Sequence, residues 1–370
     1  MSESSSVLVV GAGLGGLVAA TDLHAAGVSV RVWEARGRVG GRCRSPAVGP
    51  DEVRLDLGAA WHWAEHRRVR ALAERLGLER VRQHEPGVAV QEWARDEPVE
   101  HFEWPDAPPP SWRLVEGTQA LHERLAATLP DAALRRRHRL RSLRRTGASV
   151  QATAQTPDGP QTTSVDAVVL AVPPRLAGHT LQFEPALPDA LASALRGTTT
   201  WMSPSAKAAV TYARPFWREQ GLAGRVRSAA GPVHDWHDAT PPDGPAALVG
   251  FMHPPGPDSP TPSDPGEREE ALVRQLVHCF GEAAGAPTGL ATADWRHDTA
   301  TTPPAGPTPG PHTPPDPAPI LQRPHWGGAA ARRRGGDGYR APGLPRRRHR
   351  GGPPRRTGAG VVSRRGREGI

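Results

Sequence analysis

Residues 7–42 read VLVVGAGLGGLVAATDLHAAGVSVRVWEARGRVGGR. Val7–Val10 is a short apolar run suited to a buried parallel strand. Gly11, Gly13 and Gly16 complete a G-x-G-x-x-G pattern, with Gly15 inside the same turn. Leu17–Ala26 then has the character of a helix stopped by Gly27, and Val28–Trp33 that of a second strand ending at Glu34. Strand, glycine turn, helix, strand and acid occur in the order of a dinucleotide-binding unit. The glycines let backbone approach a pyrophosphate, and the helix N-terminus offers it free N–H groups. Glu34 can accept from a ribose hydroxyl and disfavours a 2′-phosphate. It does not separate NAD from FAD.

The block after the acid narrows the choice. Arg36, Arg38, Gly40, Gly41 and Arg42 form G-R-V-G-G-R, in which paired glycines allow close contact and arginines offset phosphate charge. Here the chain resembles the FAD-dependent flavin monoamine oxidases of the amine oxidase superfamily. The segment LDLGAAW, Leu55–Trp61, is similar to the family stretch whose backbone passes near the flavin, which implies Gly58 and Ala59 as contacts. The resemblance further implies FAD as cofactor, Leu140 beside the adenine, and oxidation of a primary or secondary amine with oxygen as acceptor. Related desaturases and porphyrinogen oxidases share the N-terminal motif.

A single lysine disfavours those relatives. Of 46 basic residues only Lys207 is a lysine. Arginine replaces lysine wherever a solvated charge suffices, but not where a compact amine able to lose its proton is needed. Lys207 lies in TTTWMSPSAKAAVTYARPFWREQGLAG, residues 198–224, similar to a family strand with a central lysine followed by Pro-Phe-Trp-Arg. In that family the lysine holds a water facing the flavin and assists its reaction with oxygen. The resemblance gives Lys207 this catalytic role, for which an arginine fork is too large. Phe216 and Trp217 have the character of core residues.

The expected architecture is α/β: a Rossmann-like FAD-binding domain with an inserted α+β substrate domain. The FAD-binding parts are expected at 1–62, 113–183 and 293–331, and the substrate parts at 63–112 and 184–292. Leu72–Leu78 ends a helix at Gly77. Residues 84–112 have the composition of an irregular stretch. Leu121, Leu125 and Leu129 share a helical face. Residues 140–156 suggest a hairpin, and 165–176 a buried strand stopped by prolines. ADWRHD, residues 293–298, resembles the family's return to the cofactor domain.

Two cysteines, Cys43 and Cys279, exclude a disulfide framework and a four-cysteine zinc site. Cys279 reads as a buried helix residue. Some family members attach flavin through a C-terminal cysteine; none follows Cys279, so FAD is expected to be non-covalent. No apolar run approaches membrane-spanning length, and a cytoplasmic protein with no membrane partner is expected. The net charge of +8 is confined to the end of the chain: residues 332–370 carry thirteen arginines against Asp337 and Glu368. The rest is mildly acidic, so no specific nucleic-acid partner is expected. That tail lacks apolar periodicity and is expected to be disordered. Codons permitted to residues 335–356, read one base forward, can spell AETATEHPGYLDGAIEAGRRA, the family's closing segment. The expectation is a frameshifted C-terminus, with a cofactor-deficient remnant as the alternative outcome.

Overall fold

The computed structural model describes residues 5–103, 109–306 and 318–326. The Arg/Gly/Pro tail, and with it the frameshift and the expected disorder, lies outside the described residues.

Val7–Val10 are all buried, and the strand β1, Ser6–Val10, is central in a parallel sheet. It pairs on one side with β2, Ser29–Trp33, and on the other with Ala167–Leu170, while Leu134–Arg135 extends the sheet beyond β2. Burial on both faces explains why β1 reads as a continuous apolar run. Val7 and Val9 pack against Leu17 and Ala20 of the helix α1, Leu14–Ala25, and against Leu125 and Leu129. Leu8, Val10 and Trp33 on the opposite face pack against Leu140, Leu143, Val150 and Ala152. Those belong to an antiparallel sheet built from the expected hairpin, Arg139–Thr146 with Ser149–Thr156, and from Gly159–Val165.

A seven-stranded sheet forms a separate β-rich region. Its order is Gly289–Asp294, Ala206–Tyr212, Ala246–Met252, Val233–Asp238, Leu222–Ser228, Val88–Glu92 and Glu100–Phe102. One face covers the helix Pro265–Phe280, burying Trp217, Trp236, Leu272, Leu276 and Cys279. That helix starts where Asp264 accepts from Glu267 N at 3.0 Å and Pro265 supplies the first turn. The other face packs on Val48, Leu55 and Leu57 from the segment that follows the glycine turns. This second contact brings the Lys207 strand against the segment that follows the glycine turns.

The structure corrects three expectations. The described part of 84–112 is not irregular throughout: Val88–Glu92 and Glu100–Phe102 join the large sheet, and Ser111–Leu114 pairs with His62–Trp63 and Arg80–Arg82. Val88–Glu92 finds its other partner in the distant Leu222–Ser228, and Ser111–Leu114 pairs with earlier strands, which composition does not record. The prolines after Leu170 do not simply stop a strand; Pro174 opens the helix Pro174–Thr180, where a missing N–H costs nothing. The first helix begins at Leu14, three residues before the expected Leu17, so its first turn includes Gly15 and Gly16.

Candidate functional site

The turn between β1 and α1 depends on glycine. Gly11 has φ +106°, and a Cβ there would lie 2.7 Å from Ala171 O. A Cβ at Gly16 would meet Gly11 O at 1.9 Å, so α1 can sit this close to β1 only without a side chain. Cβ atoms at Gly13 and Gly15 would instead meet open space. The N-terminus of α1 has no side-chain cap and no acid in its first turn. Its free N–H groups and positive dipole end therefore remain available to an anion.

Glu34 stands at the end of β2 and is buried. Its Oε2 accepts from Ala12 N and its Oε1 from Arg36 N, each at 2.8 Å. Two backbone donors fix the carboxylate and leave lone pairs for a ligand hydroxyl. Gly11, Glu34, Arg36 and Leu140 together line a cavity of about 840 Å³, with Trp33, His138, Arg139 and Thr299. This is the size range of a cofactor or ligand cleft.

Arg36 lines the cavity and also makes contacts within the protein. Its guanidinium is paired with Asp298 through Nε–Oδ2 at 3.1 Å and a second Nη2–Oδ1 contact, donates to Thr301 Oγ1 at 2.8 Å, and lies 3.5 Å from Glu34. Most of its donors thus hold the 293–302 segment against Glu34. Asp298 and Thr301 were not singled out as site residues. Only the resemblance of ADWRHD to a returning segment hinted at them.

From Gly13 the path continues along backbone. A Cβ at Gly41 would lie 3.3 Å from Gly13 Cα, and Gly40 N donates to Ala12 O at 2.9 Å. Arg38 braces this turn through Gly41 O and Cys43 O, both at 3.0 Å. Gly58 then passes so near Arg42 that a Cβ would lie 2.0 Å from Arg42 O, while Ala59 N donates to the same oxygen at 3.3 Å. Burial lowers the Arg42 pKa, and its Nη1 donates to Trp201 O at 2.8 Å.

Lys207 closes the path. It is only 2% exposed, and its Nζ donates to Asp56 O at 3.1 Å and Gly58 O at 3.0 Å. The amine also lies 4.6 Å from the Trp61 ring centroid and 4.8 Å from that of Phe251. Burial lowers its pKa to about 8, against the partial support of the Asp56 carboxylate. Asp56 itself is pushed up by burial. Its carboxylate is held by Ser45 Oγ at 2.5 Å and by Thr118 N and Oγ1 at 2.8 and 2.9 Å. Successive contacts connect the Gly11–Gly16 turn, with Gly13 and Gly15, and Glu34 to Gly40, Gly41, Arg42, Gly58, Ala59 and Lys207; of these, Gly11 and Glu34 line the cavity. Leu140 flanks the Glu34 end. The arrangement offers a buried carboxylate at Glu34, free N–H groups at the α1 N-terminus and a buried amine at Lys207.

Comparison with known proteins places the chain in a family. The sequence profile described as "Flavin containing amine oxidoreductase" matches residues 106–338, and that of an NAD(P)-binding Rossmann-like domain matches residues 9–76. The chain belongs to the flavin-containing amine oxidoreductase family. It is 45% identical over 84 residues to putrescine oxidase of Kocuria rosea, a match covering 23% of this chain and 17% of that enzyme. It is 28% identical to a Mycobacterium tuberculosis protein named as a flavin-containing monoamine oxidase, over 82% of this chain and 85% of that protein. Among solved structures, putrescine oxidase bound to putrescine matches with a TM-score of 0.67 at 21% identity, covering 80% of this chain and 86% of that one. Cyclohexylamine oxidase of Brevibacterium oxydans matches with a TM-score of 0.66 at 20% identity, covering 80% and 86%. At these identities the structural likeness concerns the fold. No helix among the described residues is long and apolar enough to cross a membrane.

Proposed function

We propose that this chain is an FAD-dependent amine oxidase that converts a primary or secondary amine to an imine, and then to an aldehyde by hydrolysis, with oxygen as acceptor. The observation that carries the reading is the buried Lys207 amine on the carbonyls of Asp56 and Gly58, at the end of the glycine-lined path from Glu34. Bound FAD would supply the chemistry, taking two electrons and a proton from the amine's α-carbon and passing the electrons to oxygen to form hydrogen peroxide. Glu34 would accept from the ribose hydroxyls, and the turn Gly11–Gly16 with Gly40, Gly41 and Arg42 would hold the phosphates. Gly58 and Ala59 would let backbone touch the ring, and Leu140 would pack at the adenine.

Lys207 has two of its three N–H groups committed and would use the third to hold a water. With a pKa of about 8 it can exchange a proton with that water near neutral pH. Because no cysteine follows Cys279, the cofactor would be non-covalent. The divisions 1–62, 113–183 and 293–331 for the FAD-binding parts, and 63–112 and 184–292 for the substrate parts, belong to the same proposal.

The test is anaerobic addition of amines to the FAD-loaded protein. Bleaching of the flavin by an amine, and slower reoxidation by oxygen in Lys207→Met, are expected. Flavin that no amine reduces refutes the reading. A second reading rests on residues 332–370: a family remnant whose closing segment is out of frame. It predicts a chain that takes up no flavin, and sequencing the gene through this region tests the shifted frame.

A further inference from the structure

The loop 198–205 leads into the Lys207 strand and contains two buried hydroxyls that find nothing to bond. Ser203 is 1% exposed and Thr200 5% exposed. Neither Ser203 Oγ nor Thr200 Oγ1 has a hydrogen-bond partner among the described residues. Buried polar side chains are nearly always paired, so two orphans within four residues require a cause. Hydroxyls at the ends of the same loop do find partners: Thr198 Oγ1 donates to Ala194 O at 2.7 Å, and Ser205 Oγ contacts Met202 Sδ at 3.6 Å. Met202, between the two orphans, holds φ +59°, a left-handed conformation unfavourable for a side chain of its kind.

The position of the loop limits what the missing partner can be. Arg42, from the G-G-R turn, donates to Trp201 O at 2.8 Å and so binds the loop to the phosphate end of the path. At its far end Trp295 N donates to Ser205 O at 3.1 Å, and Trp295 Nε1 donates to Leu57 O at 2.8 Å, beside Gly58. Lys207 follows Ser203 by four residues and rests on the same backbone. The loop thus spans from Arg42 to Lys207, along the stretch that joins phosphates to ring in the proposed cofactor. That stretch of FAD, the ribityl chain and the adjoining ring edge, is rich in hydroxyl and carbonyl oxygens.

We propose that residues 198–205 form a cofactor-binding loop in which the hydroxyls of Thr200 and Ser203 hydrogen-bond FAD between its phosphates and its ring. The proposal rests on the FAD reading above and adds two contacts to it. It has a consequence opposite to that of a structural role. Hydroxyls kept for a ligand are unsatisfied without it, so replacing them by apolar groups of the same shape leaves the apoprotein unharmed or more stable. Hydroxyls with a structural partner stabilise the apoprotein, and their loss weakens it.

The experiment uses the full chain with the double substitution Thr200→Val and Ser203→Ala. FAD affinity is read by flavin fluorescence, and apoprotein stability by thermal unfolding. The expected result is FAD binding weakened about 10- to 100-fold, as for two lost hydrogen bonds, with an apoprotein melting temperature unchanged or raised. Thr200→Ser with Ser203 intact, which keeps both hydroxyls, should retain near-parental affinity. Unchanged FAD affinity in the double variant overturns the proposal, as does an apoprotein melting temperature that falls. Failure of the parent chain to bind FAD removes the FAD reading as well, and is recognised because the loss occurs without any substitution.

Discussion

Lys207→Met tests whether the protein holds a desolvated amine at its centre. The structure buries the Lys207 amine on two carbonyls between two rings and lowers its pKa from 10.5 to about 8. Below pH 8 the folded and unfolded chains both carry the proton. Between pH 8 and 10.5 the unfolded chain keeps it and the folded chain loses it, so stability rises with pH in this window. At 1.36 kcal/mol per pH unit, the full rise is about 3 kcal/mol. Other groups titrate nearby with the opposite sign: burial pushes the Cys43 thiol up to about 11, which costs stability as pH rises through that range. The parental curve alone therefore mixes contributions. The difference between parent and Lys207→Met reports the amine together with its coupling to Cys43 and Asp56. Urea unfolding from pH 7.5 to 10.5 should show the parent gaining about 3 kcal/mol relative to the variant. A difference that stays constant across the window would mean that the amine is not desolvated, and the argument for its low pKa would fail.

Three further outcomes follow from packing and charge. Gly16→Ala forces a Cβ to within 1.9 Å of Gly11 O; unfolding should show a loss of about 1–3 kcal/mol, and FAD titration should show no binding. Asp298→Asn removes the charge facing Arg36 and should cost about 1–2 kcal/mol in urea unfolding while weakening FAD binding, since Arg36 then no longer ties the 293–302 segment to Glu34. Asp238 is fully buried, accepts from Trp217 Nε1 at 2.8 Å and pairs with both Arg218 nitrogens at 2.7 and 2.9 Å. Asp238→Asn should lower the thermal midpoint by the equivalent of about 3 kcal/mol, and a shift near zero would show that solvent already screens the pair.

What the sequence disclosed follows from how local each signal is. The turn Gly11–Gly16, the strand before it and Glu34 after it lie within thirty residues of one another, and their spacing carries the chemistry. Lys207 stood out through composition, independent of any contact. The site residues that escaped notice act over distance: Asp298 reaches Arg36 from 262 residues away, and no periodicity marks it. The pairing of Val88–Glu92 with Leu222–Ser228 was hidden for the same reason, because strands of three other sheets lie between them in the chain. Thr200 and Ser203 sit in a loop of common residues, and only burial without partners distinguishes them.

The proposed function requires that the residues from Glu34 to Lys207 hold FAD. The most direct measurement is the visible absorption spectrum of the purified full chain after expression with excess FAD, before and after acid precipitation. The two-band spectrum of a bound flavin, perturbed from that of free FAD, is expected, with all of the yellow cofactor released into the supernatant by acid. A soluble, folded and colourless protein would contradict it.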